Sequence, residues 1–105
     1  MTLEELELTI QSELGVLLYF SGEHCNVCHA LRPKFKTLFD TKFPEIKQIF
    51  LDAQAYASIA VEYQVFSLPT ILVFLDGKEF VRENRTINMH QLEEQLSRPY
   101  GMMVD

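Results

Sequence analysis

The chain has 105 residues, is 48% hydrophobic and carries a formal net charge of −6 at pH 7, with two cysteines and no tryptophan. This length and composition suit one compact domain over residues 1–105, and the acidic balance disfavours nucleic acid or an anionic membrane as partner. Two cysteines are too few for a disulfide framework, and no apolar run approaches the length of about eighteen that a membrane helix needs. The first residues lack the cationic start and apolar block of a secretory leader, so a cytoplasmic protein, or a mature form, is expected.

In chain order, Thr2-x-x-Glu5 has the form of a capping box, and Leu3, Leu6, Ile10 and Leu14 trace one apolar stripe. A helix over residues 3–14 follows, ended by Gly15. Residues 16–20 read as a short strand. Beyond it Leu31, Phe35, Leu38, Phe39 and Phe43 recur at helical spacing, with Pro33 expected to kink the helix and Pro44 to close it. This helix carries Arg32, Lys34, Lys36 and Lys42, with Lys47 just beyond. They are read as a solvated face, with a docking patch as the alternative.

Residues 47–52 supply a second strand with Ile49 and Leu51 on one face, and a helix over residues 56–63 comes next. Ser67-Leu68-Pro69-Thr70 then opens a strand over residues 71–75, and the turn Asp76-Gly77 returns the chain as an antiparallel hairpin. Asn88 is placed to cap a last helix whose Met89, Leu92 and Leu96 face inward, with Pro99 expected to stop it. Strands one and two should pair in parallel through a right-handed helical crossover. The fold class is α/β, a mixed four-stranded sheet flanked by helices.

Both cysteines lie in Phe20-Ser21-Gly22-Glu23-His24-Cys25-Asn26-Val27-Cys28-His29, where the strand becomes the helix. On a helix's first turn, unpaired N–H groups and the positive dipole end favour an anion, so Cys25 should have a lowered pKa and react as thiolate. A three-residue offset lets the second thiol reach the first, as in a dithiol that cycles with a disulfide. C-x-x-C also serves zinc sites, for which His24, Cys25, Cys28 and His29 have suitable donors but crowd one helix start. Cys25-Asn26-Val27-Cys28-His29 equally matches the haem c attachment string. An imidazolium at His24 would stabilise the Cys25 thiolate further, the plain alternative being an exposed polar side chain. His29 is read as the latter, and His90 has no assigned role.

A C-x-x-C at a strand-to-helix junction, followed some forty residues on by Ser67-Leu68-Pro69-Thr70 before another strand, resembles the thioredoxin superfamily over residues 16–96. The resemblance implies a thiol–disulfide oxidoreductase, active in cell redox homeostasis and electron transport. Cys25 would attack a substrate disulfide, and a more buried Cys28 would resolve the mixed disulfide. Pro69 would be the family's cis-proline, and the backbone of Leu68 would pair with an extended substrate segment. Implied partners are disulfide-containing proteins and an electron donor, with no cofactor, no metal and a monomeric state. A thioredoxin-fold binding module with little redox traffic is the alternative. The chain departs from the family at several positions. His24 stands for the tryptophan before the first cysteine, Asn26-Val27 for glycine-proline, and Arg85 for a glycine. Tyr19 occupies the place of a buried aspartate, and Gln48 lies near that of its lysine partner.

Overall fold

The chain alternates helices and strands as α1 (Leu3–Ser12), β1 (Gly15–Ser21), α2 (Asn26–Lys42), β2 (Ile46–Asp52), α3 (Ala57–Glu62), β3 (Thr70–Leu75), β4 (Lys78–Asn84) and α4 (Met89–Val104). This computed structural model describes residues 1–104, so Asp105, the last residue of the expected domain, lies outside the described residues. The sheet has four strands in the order β2-β1-β3-β4. β1 pairs in parallel with β2 and antiparallel with β3, and β3 pairs antiparallel with β4, with a bulge at Val73/Phe74. Parallel pairing of β1 and β2 follows from the α2 crossover, as expected from the sequence.

Side-chain alternation along β1 sorts the layers. Leu17 and Tyr19 face α2 and α4, where they join Phe35, Phe39, Phe43, Leu92 and Leu96. Val16, Leu18 and Phe20 face the other way, onto Leu6 and Ile10 of α1 and Ile59 of α3. β1 is therefore buried on both faces, which explains its near-continuous apolar run. Phe35 and Phe39 are both fully buried, and each contributes about 1.5–3 kcal/mol through removal of apolar surface from water. Ile49 and Leu51 share the α1/α3 side, as their spacing predicted.

Helix starts follow local side-chain chemistry. The Glu5 N–H donates to Thr2 Oγ1 at 3.1 Å and the Thr2 N–H to Glu5 Oε1 at 2.7 Å, a complete capping box. Asn88 Oδ1 accepts the Gln91 N–H at 2.9 Å at the start of α4. α1 ends at Ser12, earlier than its apolar stripe suggested, because Leu14 turns to the opposite core.

The expected stop at Pro99 is corrected: α4 continues through it to Val104. Proline removes one backbone donor, about 3 kcal/mol of penalty in an isolated helix. Here the next turn is anchored by tertiary contacts. Tyr100 is buried, stacks edge-on against Phe43 at 5.1 Å, and its hydroxyl accepts the Glu45 N–H at 2.9 Å.

Candidate active site: a dithiol at a helix N-terminus

β1 delivers the chain to Gly22, whose backbone meets Leu68 so closely that an added Cβ would lie 2.9 Å from Leu68 Cδ1. Only glycine fits that approach without displacing the leucine. The Cys25 N–H then donates to the Gly22 carbonyl at 3.2 Å, turning the chain into α2 with Cys25 as N-cap. Cys25 Sγ accepts the Cys28 N–H at 3.2 Å, so the sulfur takes the place of the oxygen that Ser or Asp offers in an ordinary cap. In the thiolate this same N–H and the helix dipole favour the negative charge.

Cys25 and Cys28 form a disulfide, with Cα atoms 5.2 Å apart. Cys28 is 1% exposed, whereas Cys25 is only partly buried, which is the asymmetry the sequence suggested. Both sulfurs are thus committed to each other. Among the described residues no cluster of three or more His, Cys, Asp or Glu side chains could hold a metal ion.

The second wall comes from the loop before β3. The Leu68–Pro69 peptide bond is cis, and Thr70 Oγ1 donates to the Ser67 carbonyl at 2.6 Å to close the turn. The Pro69 carbonyl accepts the Arg85 N–H at 3.0 Å. Arg85 sits at φ 58°, the left-handed conformation for which glycine is the unstrained choice. Leu68, Cys25, Gly22, Glu23, His24 and Gln54 line one open hollow of about 310 Å³. Among the described residues neither the N–H nor the carbonyl of Leu68 has a hydrogen-bond partner.

His24 is exposed at this hollow. His29 points back along the turn, its Nε2 lying 3.0 Å from the Glu23 carbonyl. Gln54 carried no signal in the sequence. It reaches the hollow because Asp52 Oδ1 accepts the Gln54 and Ala55 N–H groups at 2.8 and 3.2 Å, folding the β2–α3 turn toward Cys25. Val27 entered the sequence reading only as a departure from the family motif and Phe66 not at all, yet both are exposed, at 55% and 83%, in the motif turn and two residues before Leu68. Such exposed apolar side chains resemble ordinary core positions in a sequence.

Beneath the disulfide lies Tyr19. It is fully buried and its hydroxyl donates to the Cys28 carbonyl at 2.7 Å, while its ring meets Phe35 and Phe50 at 5.2 and 5.5 Å. Burial pushes its pKa up, partly opposed by the field of Arg32. Arg32 itself lies over the Phe50 ring at 4.4 Å. Gln48 does not approach Tyr19 as a partner. Its Nε2 donates to Asp40 on α2 at 2.7 Å.

Comparison with known proteins agrees with this geometry. The family model described as Thioredoxin matches residues 1–98. Thioredoxin-like protein YdfQ of Bacillus subtilis (strain 168) is 37% identical over 101 residues, covering 96% of this chain and 89% of that protein. The chloroplastic thioredoxin Y of Oryza sativa subsp. japonica is 31% identical over 90 residues, 86% of this chain and 54% of the longer relative. Among solved structures, Fasciola hepatica thioredoxin superposes with a TM-score of 0.75 at 27% identity, covering 91% of this chain and 89% of that one. With a redox-capable Cys25–Cys28 pair on this fold, the chain belongs to the thioredoxin family, as a thiol–disulfide oxidoreductase.

Proposed function

We propose that this oxidoreductase reduces protein disulfides with Cys25 as attacking thiol and Cys28 as resolving thiol. The observation that carries the assignment is the N-cap geometry: Cys25 Sγ receives the Cys28 N–H and borders the open hollow, while Cys28 is buried behind it. In the first step the Cys25 thiolate attacks one substrate sulfur. A Cys25–substrate disulfide forms, and the other substrate sulfur leaves as thiolate. In the second step Cys28 loses its proton and attacks Cys25 Sγ. The internal disulfide closes, and the remaining substrate sulfur departs and is protonated. Run in reverse, the sequence oxidises a dithiol.

Leu68 and Pro69 are the substrate-binding residues in this reading. The free backbone groups of Leu68 suit an extended segment added as a short strand. Exposed Val27 and Phe66 favour a protein disulfide over a small-molecule disulfide as substrate, because each can cover an apolar side chain beside the reacting sulfur. His24, exposed at the rim, tunes Cys25. A lone C-x-x-C suits a reducing compartment, so the setting we infer is the cytoplasm, where a monomer takes electrons from a separate donor and serves redox homeostasis.

The test is trapping. Cys28→Ser, reduced and mixed with a folded protein bearing an accessible disulfide, should accumulate a covalent complex through Cys25 that a reductant dissolves. Cys25→Ser should form none. A complex through Cys28, or none with either variant, would overturn the assignment.

A further inference from the structure

The polar contact made by the buried face of the motif involves a residue to which the exchange reaction gives no role. Tyr19 lies under the first turn of α2, and its hydroxyl meets the carbonyl of Cys28, the resolving cysteine, at 2.7 Å. We propose that Tyr19 is a positioning residue for the resolving step: its neutral phenol holds Cys28 in line with Cys25, and Cys28 loses its proton without a buried base. This rests on the assignment of Cys28 as resolving thiol.

Two observations support the holding role. The ring is fixed on two sides, by Phe35 of α2 at 5.2 Å and by Phe50 of β2 at 5.5 Å, so the hydroxyl has little freedom to leave the carbonyl. β1 is also an interior strand of the sheet, paired on both edges, which makes Tyr19 a rigid base for that contact. Through it, the depth of the helix N-terminus over the sheet is set at the residue whose sulfur must travel to Cys25. A displacement of about 1 Å at a reacting centre is enough to slow chemistry strongly.

The absence of a base follows from an inventory of the surroundings. Among the described residues the buried polar groups other than the tyrosines are Thr70 and the unpartnered Oε1 of Gln48, neither of them a carboxylate. Phe50 of β2, Ile71 and Val73 of β3, Val81 of β4 and Leu92 of α4 complete the cluster round Tyr19 and Cys28 with apolar groups. Tyr100 of α4 accepts the Glu45 N–H. The charged and titratable side chains nearest in the chain are Arg32 of α2 over Phe50, and Glu23, His24 and His29 at the exposed mouth. Burial raises the Tyr19 pKa, so the phenol keeps its proton in the neutral range. The proton from Cys28 therefore leaves by the mouth, and the balance closes on the departing group. Cys28 S–H and the Cys25–substrate disulfide give the Cys25–Cys28 disulfide and a substrate thiol, which takes up one proton in place of the one released.

A symmetric aryl disulfide reads both steps in one rapid-mixing trace. The first aryl thiolate appears when Cys25 attacks and the second when Cys28 resolves. Tyr19→Phe keeps the ring and removes the hydroxyl. It should leave the first phase within experimental error and slow the second by roughly threefold to tenfold, the scale of one net hydrogen bond. In the wild type, the second phase should rise with pH along a single thiol titration, with no inflection in the carboxylate range of about 4–6. Unchanged phases in Tyr19→Phe, or both slowed equally, would overturn the positioning role, and an inflection in the carboxylate range would overturn the missing base. These outcomes are separable from a failure of the assignment beneath them. If Cys28→Ser traps no complex the assignment falls. If it traps normally while Tyr19→Phe resolves at the wild-type rate, only the role of Tyr19 falls.

Discussion

Phe35→Ala tests whether α2 is held over the sheet by its aromatic face. Phe35 is 0% exposed, lies edge-on to Tyr19 at 5.2 Å and stacks with Phe39 at 6.2 Å. Truncation removes a buried ring between two others, and such substitutions cost about 3–5 kcal/mol. A domain of this size is stable by about 5–15 kcal/mol, so the loss is a substantial fraction of the total. With a urea dependence of about 2 kcal/mol per molar, the unfolding midpoint should fall by about 2 M. Leu8→Ala is the control, because Leu8 is chemically similar but 71% exposed. Its change should stay within about 0.5 kcal/mol. Equilibrium urea melts followed by far-UV circular dichroism would compare the two. Equal midpoints for Phe35→Ala and Leu8→Ala would refute the packing argument.

Two other outcomes follow from the charges. His24→Ala should raise the pH midpoint of Cys25 alkylation in the reduced protein and move the dithiol potential toward the reducing side, since a less stabilised thiolate is a less stabilised reduced state; an unmoved midpoint would leave the activation to the helix end alone. Burial raises the pKa of Tyr19 and Tyr63 above 10.0, so their stabilising effect is complete below that pH and is lost as pH rises through the folded values. On the acid side, Asp40, held down by its bond from Lys36, and Glu5, held down by its bonds with Thr2, contribute stability above 3.8 and 4.5 that disappears as pH falls. Thermal melts across pH should therefore decline at both extremes, and a melting temperature that rises above pH 10.0 would contradict the tyrosine burial.

What the sequence revealed was carried by short-range chemistry. Thr2 and Glu5, Asn88, the Asp76-Gly77 turn and the position of Cys25 and Cys28 at a strand-to-helix junction act within three or four residues, and each is where its spacing placed it. Pro99 misled because a local helix breaker was outweighed by a distant partner: Tyr100 reaches Phe43 and Glu45, 55 residues back for the hydrogen bond. Gln54 was invisible for the same reason, since its place at the hollow depends on a turn organised by Asp52. Tyr19 stood out only as a departure from a family pattern. Its contact with the Cys28 carbonyl depends on how α2 lies over β1, which no window of residues encodes.

Beyond its contact with β1, the seat of α1 is completed by residues far along the chain. Leu6 and Ile10 pack in the same cluster as Leu72 and Phe74, Gln11 Nε2 donates to the Gly77 carbonyl at 3.2 Å, and the Leu14 carbonyl accepts the Asp76 N–H at 3.0 Å. During synthesis from N- to C-terminus, α1 leaves the ribosome well before the β3–β4 hairpin that completes its seat. A helix of 10 residues is marginal alone in water, and its capping box only lessens that deficit. The earliest helix to emerge thus completes its packing only when the hairpin arrives, and that hairpin also continues from the Leu68–Pro69 wall of the active site. Arrival of one segment completes both the hydrophobic cover of the sheet and the cleft beside Cys25, so an unfinished chain holds neither.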